Sequence, residues 1–292
     1  MTRREFIAGS AAAVGALAAG AEPVRRPRLA FQVYGVRDLC AKDLVGTLKQ
    51  AKAMGYEGVE TGRFYGRSAA EWKAICADVG LELVALQLYP HTLVEPELEK
   101  TIRFCHESGC HRINTAWFKG SAENANDWQL VASVLNRAVG ICAREGIEIG
   151  YHNHDQEFRT SFEGKSALAW LFERFDPRVK GEFDPGWCVL AGGDPIAWLK
   201  GHPGRNPTMH VMPAIDERDF AALKPGEAHV GAAVDRADWK PFLPAAARDG
   251  VEWFVVKPTA HPDALADLRG SYDFMHSCVH VDGMVHFKKL ES

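Results

Sequence analysis

Three imidazoles and two carboxylates stand in this chain at spacings that suit chemistry. His152 and His154 flank Asn153 in the run Tyr151 to Asp155, and Glu182 and Asp184 repeat the alternate spacing further on. In an extended strand, residues i and i+2 point to one side. Each pair would therefore face one space if its run ends a strand. His210 adds a third imidazole. Imidazole and carboxylate converging on one point is how proteins hold Mn²⁺, Zn²⁺ or a similar ion. A lone histidine more often bonds only backbone; three with two acids are harder to assign that way. The expectation is a polar catalytic or ligand-binding site.

These residues need a scaffold that brings distant strand ends together. The chain alternates short β-rich runs with longer helical patterns. Strands are expected at residues 28–34, 58–61, 81–88, 112–116, 147–152, 179–183, 208–212 and 251–257. Helices are expected between them. Ser68 with Glu71 forms a capping box, Gly55, Gly80 and Gly146 stop helices, and Asp194-Pro195 opens a short one. Further helices are expected at 95–108, 125–145, 165–175, 238–248 and 262–278. Eight strand–helix units predict an α/β fold, a single-domain (β/α)8 TIM barrel with a closed parallel sheet. Its active site belongs at the C-terminal strand ends.

The polar residues there are Gln32, Tyr34 and Arg37; Glu60; Gln87 and His91; Asn114 and Trp117; the histidines and acids above; and Lys257. Trp117, Trp187, Tyr34 and Phe64 could supply flat apolar walls for sugar C–H faces. Arg37 and Arg63 could hold a phosphate or carboxylate. Gly192-Gly193-Asp194 reads as a loop turn rather than a phosphate cradle.

Composition agrees with a globular enzyme-sized chain. Of 292 residues, 47% are hydrophobic and 25% charged, which excludes disordered, collagen-like and coiled-coil classes. A net charge of −4 offers no footprint for nucleic acid. Residues 1–21 read as an export address. Thr2 to Ile7 carries a twin-arginine pattern, Ala8 to Ala18 is a weakly apolar run, and Ala19-Gly20-Ala21 fits signal cleavage. The run is too short for a membrane anchor. The expectation is a barrel domain over 22–292, carried to the periplasm by the twin-arginine machinery. Seven cysteines without C-x-x-C predict no disulfide framework, with Cys105–Cys110 as the nearest exception. Residues 279–287 suggest a small hairpin turning at Asp282-Gly283.

Several stretches then acquire a common meaning. They are Gln32 to Asp38, Gly55 to Glu60, Gly150 to Asp155 with Glu157-Phe158, Phe183 to Trp187 with Gly193 to Pro195, and His210-Val211. With them the chain resembles the xylose isomerase-like barrels of the sugar phosphate isomerase/epimerase family over residues 29–280. The resemblance implies a divalent ion (Mn, Zn, Co or Mg), no nucleotide cofactor, and acid–base chemistry beside a sugar carbonyl. It implies His152, Asp184 and His210 as metal ligands and places Glu60, His154 and Glu182 close to the sugar. Gln32, Tyr34, Arg37, Glu60, Trp117 and Trp187 become candidate substrate contacts; His154, Glu182 and Lys257 become candidate catalytic groups.

Four positions depart from the family pattern. Lys257 stands where a strand-eight Glu is ligand and base, Met212-Pro213 where Lys-Asp is usual, Gly231-Ala232-Ala233 where Gly-Glu-Gly is usual, and Gln87 where His is usual. A protonated lysine cannot bind a metal. It would repel a dication beside Asp184 or stand in for one; with a lowered pKa it could act as base or form a Schiff base. The expected function is a sugar or keto-sugar isomerase or epimerase, with His154 or Glu182 moving the proton. The alternatives are a non-catalytic sugar-binding barrel, or a metal-free lyase or isomerase using Lys257. An exported location argues against a phosphorylated substrate.

Overall fold

A computed structural model describes residues 26–116, 124–258 and 263–279. Eight parallel strands run through them: β1 (Arg28–Gln32), β2 (Gly58–Thr61), β3 (Glu82–Leu88), β4 (Arg112–Ala116), β5 (Glu148–His152), β6 (Lys180–Phe183), β7 (Thr208–Val211) and β8 (Trp253–Val256). Each pairs with its neighbours in sequence, and β1 closes the barrel on β8 through Arg28↔Trp253 to Phe31↔Val256. The strands are short and almost wholly buried, because helices cover the outer face while side chains fill the inside.

The helices start and stop where local chemistry directs. Ser68 caps Ala69–Val79, accepting from Glu71 N while Glu71 returns the bond to Ser68 N. Gly55 and Gly80 end helices with φ of 114° and 79°, a region that disfavours residues bearing a Cβ. Asp194 caps Pro195–Gly201 through Ile196 N and Ala197 N, so Gly192-Gly193-Asp194 is a loop turn as expected. Between barrel and helices lies the main core, with Trp72, Trp128, Trp239, Tyr56 and Phe31 fully enclosed.

Inside the barrel, alternate residues build layers. Asn114 Nδ2 donates to Glu60 Oε2 on β2 (3.4 Å) and to Thr208 Oγ1 on β7 (3.3 Å), strands not adjacent to β4. All three side chains therefore point inward. At the opposite end of the barrel, Arg28 lies 3.9 Å over the Trp253 ring. Arg112 donates to Glu148 (2.5 Å) and Glu252 (3.1 Å). Trp253 needs space, and Gly58 supplies it: a Cβ there would meet Val84 Cγ1 at 2.5 Å and the Trp253 ring at 2.8 Å.

Several expected boundaries shift for local reasons. β1 ends at Gln32 rather than Tyr34, since Val36 N bonds Val33 O and a short helix, Arg37–Lys42, follows. Asp184-Pro-Gly-Trp opens a helix, Pro185–Leu190, because Asp184 caps Trp187 N and proline suits the first turn. The helix expected from Lys165 begins at Ala167. A small hairpin, Ser161–Phe162 with Lys165–Ser166, precedes it and Ser166 caps Ala169 N. The helix expected from Glu95 begins at Glu97, β7 stops at Val211, β8 covers only 253–256, and the last helix is Ala264–Val279. All seven cysteines are free, so the Cys105–Cys110 exception does not form. The export address expected at 1–21 and, beyond Val279, the hairpin expected at 279–287 lie outside the described residues.

The Gly58 contact makes a stability prediction. Gly58→Ala overpacks the barrel interior and should lower unfolding stability by about 1–3 kcal/mol. Urea unfolding checks this; an unchanged midpoint would show that Trp253 can yield without cost.

Candidate active site

The C-terminal strand ends meet beside a cavity of about 610 Å³, a common size for small-molecule sites. Gln32, Tyr34, Arg63, Gln87, Tyr89, His154, Trp187 and Lys257 supply its polar and aromatic lining. His152 packs against His154, ring centres 4.7 Å apart, and against His210, 4.2 Å apart. His152 at the end of β5 and His154 in the turn after it thus share a space with His210 of β7.

Hydrogen bonds orient this cluster. His152 Nδ1 lies 3.2 Å from the Glu182 carbonyl. A carbonyl can only accept, so Nδ1 carries the proton and Nε2 presents its lone pair. That Nε2 is buried without a partner. His210 Nε2 lies 2.8 Å from Glu60 Oε1, while Glu60 Oε2 accepts from Asn114. An ionised Glu60 can only accept, so beside it His210 donates through Nε2 and its Nδ1 becomes the lone pair. This nitrogen is also buried and unpartnered. Asp184 Oδ1 accepts from Trp187 N (3.2 Å), and its Oδ2 is buried with no donor. His152, Asp184 and His210 can each offer one ligand atom within 4.8 Å of the others. Glu60, Glu182 and His210 make a second such group. There Glu60 already holds the imidazole, so this group reads as a support for the first.

Burial governs ionisation throughout. It holds His152 well below the usual imidazole range, with His210 and His154 adding like-charge repulsion. It takes His154 to about 3, aided by the Lys257 ammonium, and lowers His210 against the pull of Glu182. All three rings are therefore neutral donors of lone pairs at neutral pH. Burial raises Asp184 to about 6, opposed by Lys257 and His210, and Glu60 to about 7. Glu182 rises well above the usual range through burial and the neighbouring Glu60 charge. Burial lowers Lys257, with Asp184, Glu60 and Glu182 pulling the other way. Its nitrogen lies 5.5 Å from the centre of the Trp187 ring.

Not every expected contact is at the cavity. Glu60 and Glu182, expected beside the sugar, are fully buried and do not line it; Glu60 instead orients His210. Arg37 packs over the Tyr34 ring at 4.6 Å and donates to Tyr34 O. It stands behind the lining rather than in it. Phe64 packs on Phe104, ring centres 4.3 Å apart, and His91 is exposed against Tyr89. Trp117 lies outside the described residues. Gln32, Tyr34, His154, Trp187 and Lys257 do line the cavity.

Two supporting residues carried no role in the sequence. Asn153 donates to Asp184 O (3.2 Å) and accepts from Asp184 N (2.9 Å), tying β5 to β6 at the level of the cluster. Buried Glu157 accepts from Tyr151 O–H (2.7 Å) and His154 N (2.9 Å), fixing the turn that presents His154. Asn153 stands between the two histidines, and Glu157 lies in the short helix after them, within a stretch that carries the family resemblance.

A family model described as xylose isomerase-like TIM barrel matches residues 48–277, and the chain belongs to that family. Inosose dehydratase of Geobacillus kaustophilus (strain HTA426) is 25% identical over 203 residues, 61% of this chain and 64% of that protein. Inosose dehydratase of Geobacillus thermodenitrificans (strain NG80-2) is 29% identical over 147 residues, 47% of this chain and 48% of that protein. The match thus spans less than two thirds of either relative. Among solved structures, a sugar phosphate isomerase/epimerase from Parabacteroides distasonis ATCC 8503 superposes with a TM-score of 0.71 at 20% identity. That alignment covers 85% of this chain and 97% of the other and shows the shared fold.

Glu157 makes a pH prediction. Burial raises it to about 7 when folded, against the usual 4.5. A carboxyl raised on folding stabilises fully below its unfolded pKa, and that contribution is lost as pH rises through the folded value. In chelator, wild type should therefore lose stability relative to Glu157→Gln between about pH 4.5 and 7, by at most about 1.4 kcal/mol per unit. Denaturant midpoints at several pH values test this; parallel profiles would contradict it.

Proposed function

We propose that this chain is a metal-assisted enzyme that moves a proton next to the carbonyl of a sugar or keto-sugar, giving isomerisation or epimerisation. One observation carries the proposal: His152, Asp184 and His210 offer ligand atoms within 4.8 Å of one another, and each has a buried polar atom that no partner satisfies. Leaving such groups buried and unpaired is costly, and a divalent cation satisfies all three at once. Two neutral imidazoles and one carboxylate suit Mn²⁺, Co²⁺ or Zn²⁺. When bound, such an ion would polarise a substrate carbonyl or hydroxyl oxygen.

The chain's own groups supply the rest. His154 and Lys257 reach the cavity and flank Trp187, so they are placed to take and return the proton. Glu182, buried beneath, acts by holding the His152 tautomer through its carbonyl rather than by shuttling the proton. Trp187 offers a flat wall to a sugar face. Proton removal beside a carbonyl also opens dehydration of a hydroxyketone, which accommodates the dehydratases among the relatives.

A second reading rests on Lys257. The residue is half-buried and lines the cavity, and Asp184, Glu60 and Glu182 favour its charged form against burial, so it could supply positive charge or, deprotonated, a nucleophilic amine. Borohydride would then trap a keto-sugar on Lys257 and leave Lys257→Met unlabelled; no trapped adduct across a ketose panel removes it. We also propose, from the pattern Thr2 to Ile7, that the enzyme is exported to the periplasm. No helix of the described residues is long and apolar enough to cross a membrane.

The main proposal predicts that purified protein binds Mn²⁺, Co²⁺ or Zn²⁺ and exchanges a substrate C–H with solvent deuterium. Asp184→Asn and His152→Ala should abolish binding, and Glu60→Gln should weaken it by about 10–100-fold through the freed His210 ring. Calorimetry and proton NMR read both effects. Absence of any bound ion, together with no activation by these metals, would sink the proposal.

A further inference from the structure

Resting on that reading, export included, we infer that the cavity takes a sugar acid, whose carboxylate is held by Arg63 at the cavity mouth. Charge provides the first argument. Among the described residues lining the cavity, Arg63 and Lys257 are cations, and none is Asp or Glu. The Lys257 charge is answered from beneath by Asp184, Glu60 and Glu182. Arg63 has no such counterpart among the described residues; its guanidinium lies 5.9 Å from the Tyr34 ring centre, and Arg37 adds a second positive charge 4.6 Å from the same ring.

Donor count provides the second argument. Tyr34 N donates to Gln32 Oε1, which fixes the Gln32 amide. Gln32 Nε2 must then donate to Gln87 Oε1, and Gln87 Nε2 is left without an acceptor. Trp187 Nε1 is likewise an unpartnered buried donor. Arg63, Gln87, Trp187 and Lys257 thus give the wall an excess of donors, the complement of an oxygen-rich anion.

The local backbone presents Arg63 deliberately. Buried Thr61 donates through Oγ1 to Arg63 O (2.7 Å) and accepts from Arg63 N (3.1 Å). Gly62 lets this turn press against β3, since a Cβ there would collide with the Gln87 carbonyl. The turn is therefore pinned while the side chain remains exposed at the cavity mouth. A guanidinium so held can make a two-pronged bond to a carboxylate.

Calorimetry with an aldose, its uronic acid and its 6-phosphate tests the inference on metal-loaded protein. Wild type should bind the uronic acid about 10-fold or more tighter than the neutral sugar, with the preference shrinking as salt rises. Arg63→Ala should bring that acid down to the neutral sugar's affinity, and Arg63→Lys should keep part of the preference. If Arg63→Ala does not fold, Arg63→Gln serves in its place. Equal binding of all three ligands by wild type, tighter binding of the 6-phosphate than of the uronic acid, or an equal loss for all three in the variants, overturns the inference. Those outcomes leave metal binding and C–H exchange untouched, so they do not count against the function proposed above.

Discussion

The site depends on placing lone pairs, not charges, at the centre of the barrel mouth. An imidazole can coordinate only through the nitrogen that lacks a proton. That nitrogen is chosen by whatever the other one bonds. The Glu182 carbonyl makes the choice for His152, and the Glu60 carboxylate makes it for His210. Burial then keeps both rings neutral. Without these two bonds, the same residues could stand in the same places and present N–H groups to one another.

The barrel interior is built to sustain this arrangement. Its upper layer is polar, and Glu60, Asn114 and His210 lean on strands other than their own. Glu60 reaches His210 and Asn114, and Asn114 also reaches Thr208. Glycines make the room. Gly150 leaves space for the Asn114 amide, as Gly58 does for Trp253 lower down. A polar interior costs hydration energy unless every group finds a partner. The partners here run across the barrel, so the strand-to-strand register is itself a condition of the site.

Lys257 changes the balance of that layer. It enters a region holding Asp184, Glu60 and Glu182, where burial alone would favour the uncharged forms of all four groups. The Lys257 ammonium and the Asp184 and Glu60 carboxylates oppose that shift without reversing it. Because the lysine also touches the cavity, that charge is shared between the buried cluster and whatever occupies the space above.

Local chemistry in the chain was enough to announce the eight strand–helix units, the Ser68 capping box, the glycine stops and the pairing of His152 with His154. Each depends on residues a few positions apart, and period-two alternation or a cap can be read directly from such spacing. The same logic could not assign Glu60. Nothing near it in sequence reveals that its oxygens meet His210 and Asn114, contacts 150 and 54 residues away. Nor could it separate Arg63, which lines the cavity, from Arg37, which stands behind Tyr34. That depends on where β1 gives way to a turn. Residue types and spacing determined which groups were available for chemistry; closure of the barrel decided which of them meet, which nitrogen each ring offers, and which groups reach the cavity. The physical reason is that hydrogen-bond direction and burial are properties of the whole packed interior, and no single segment contains them.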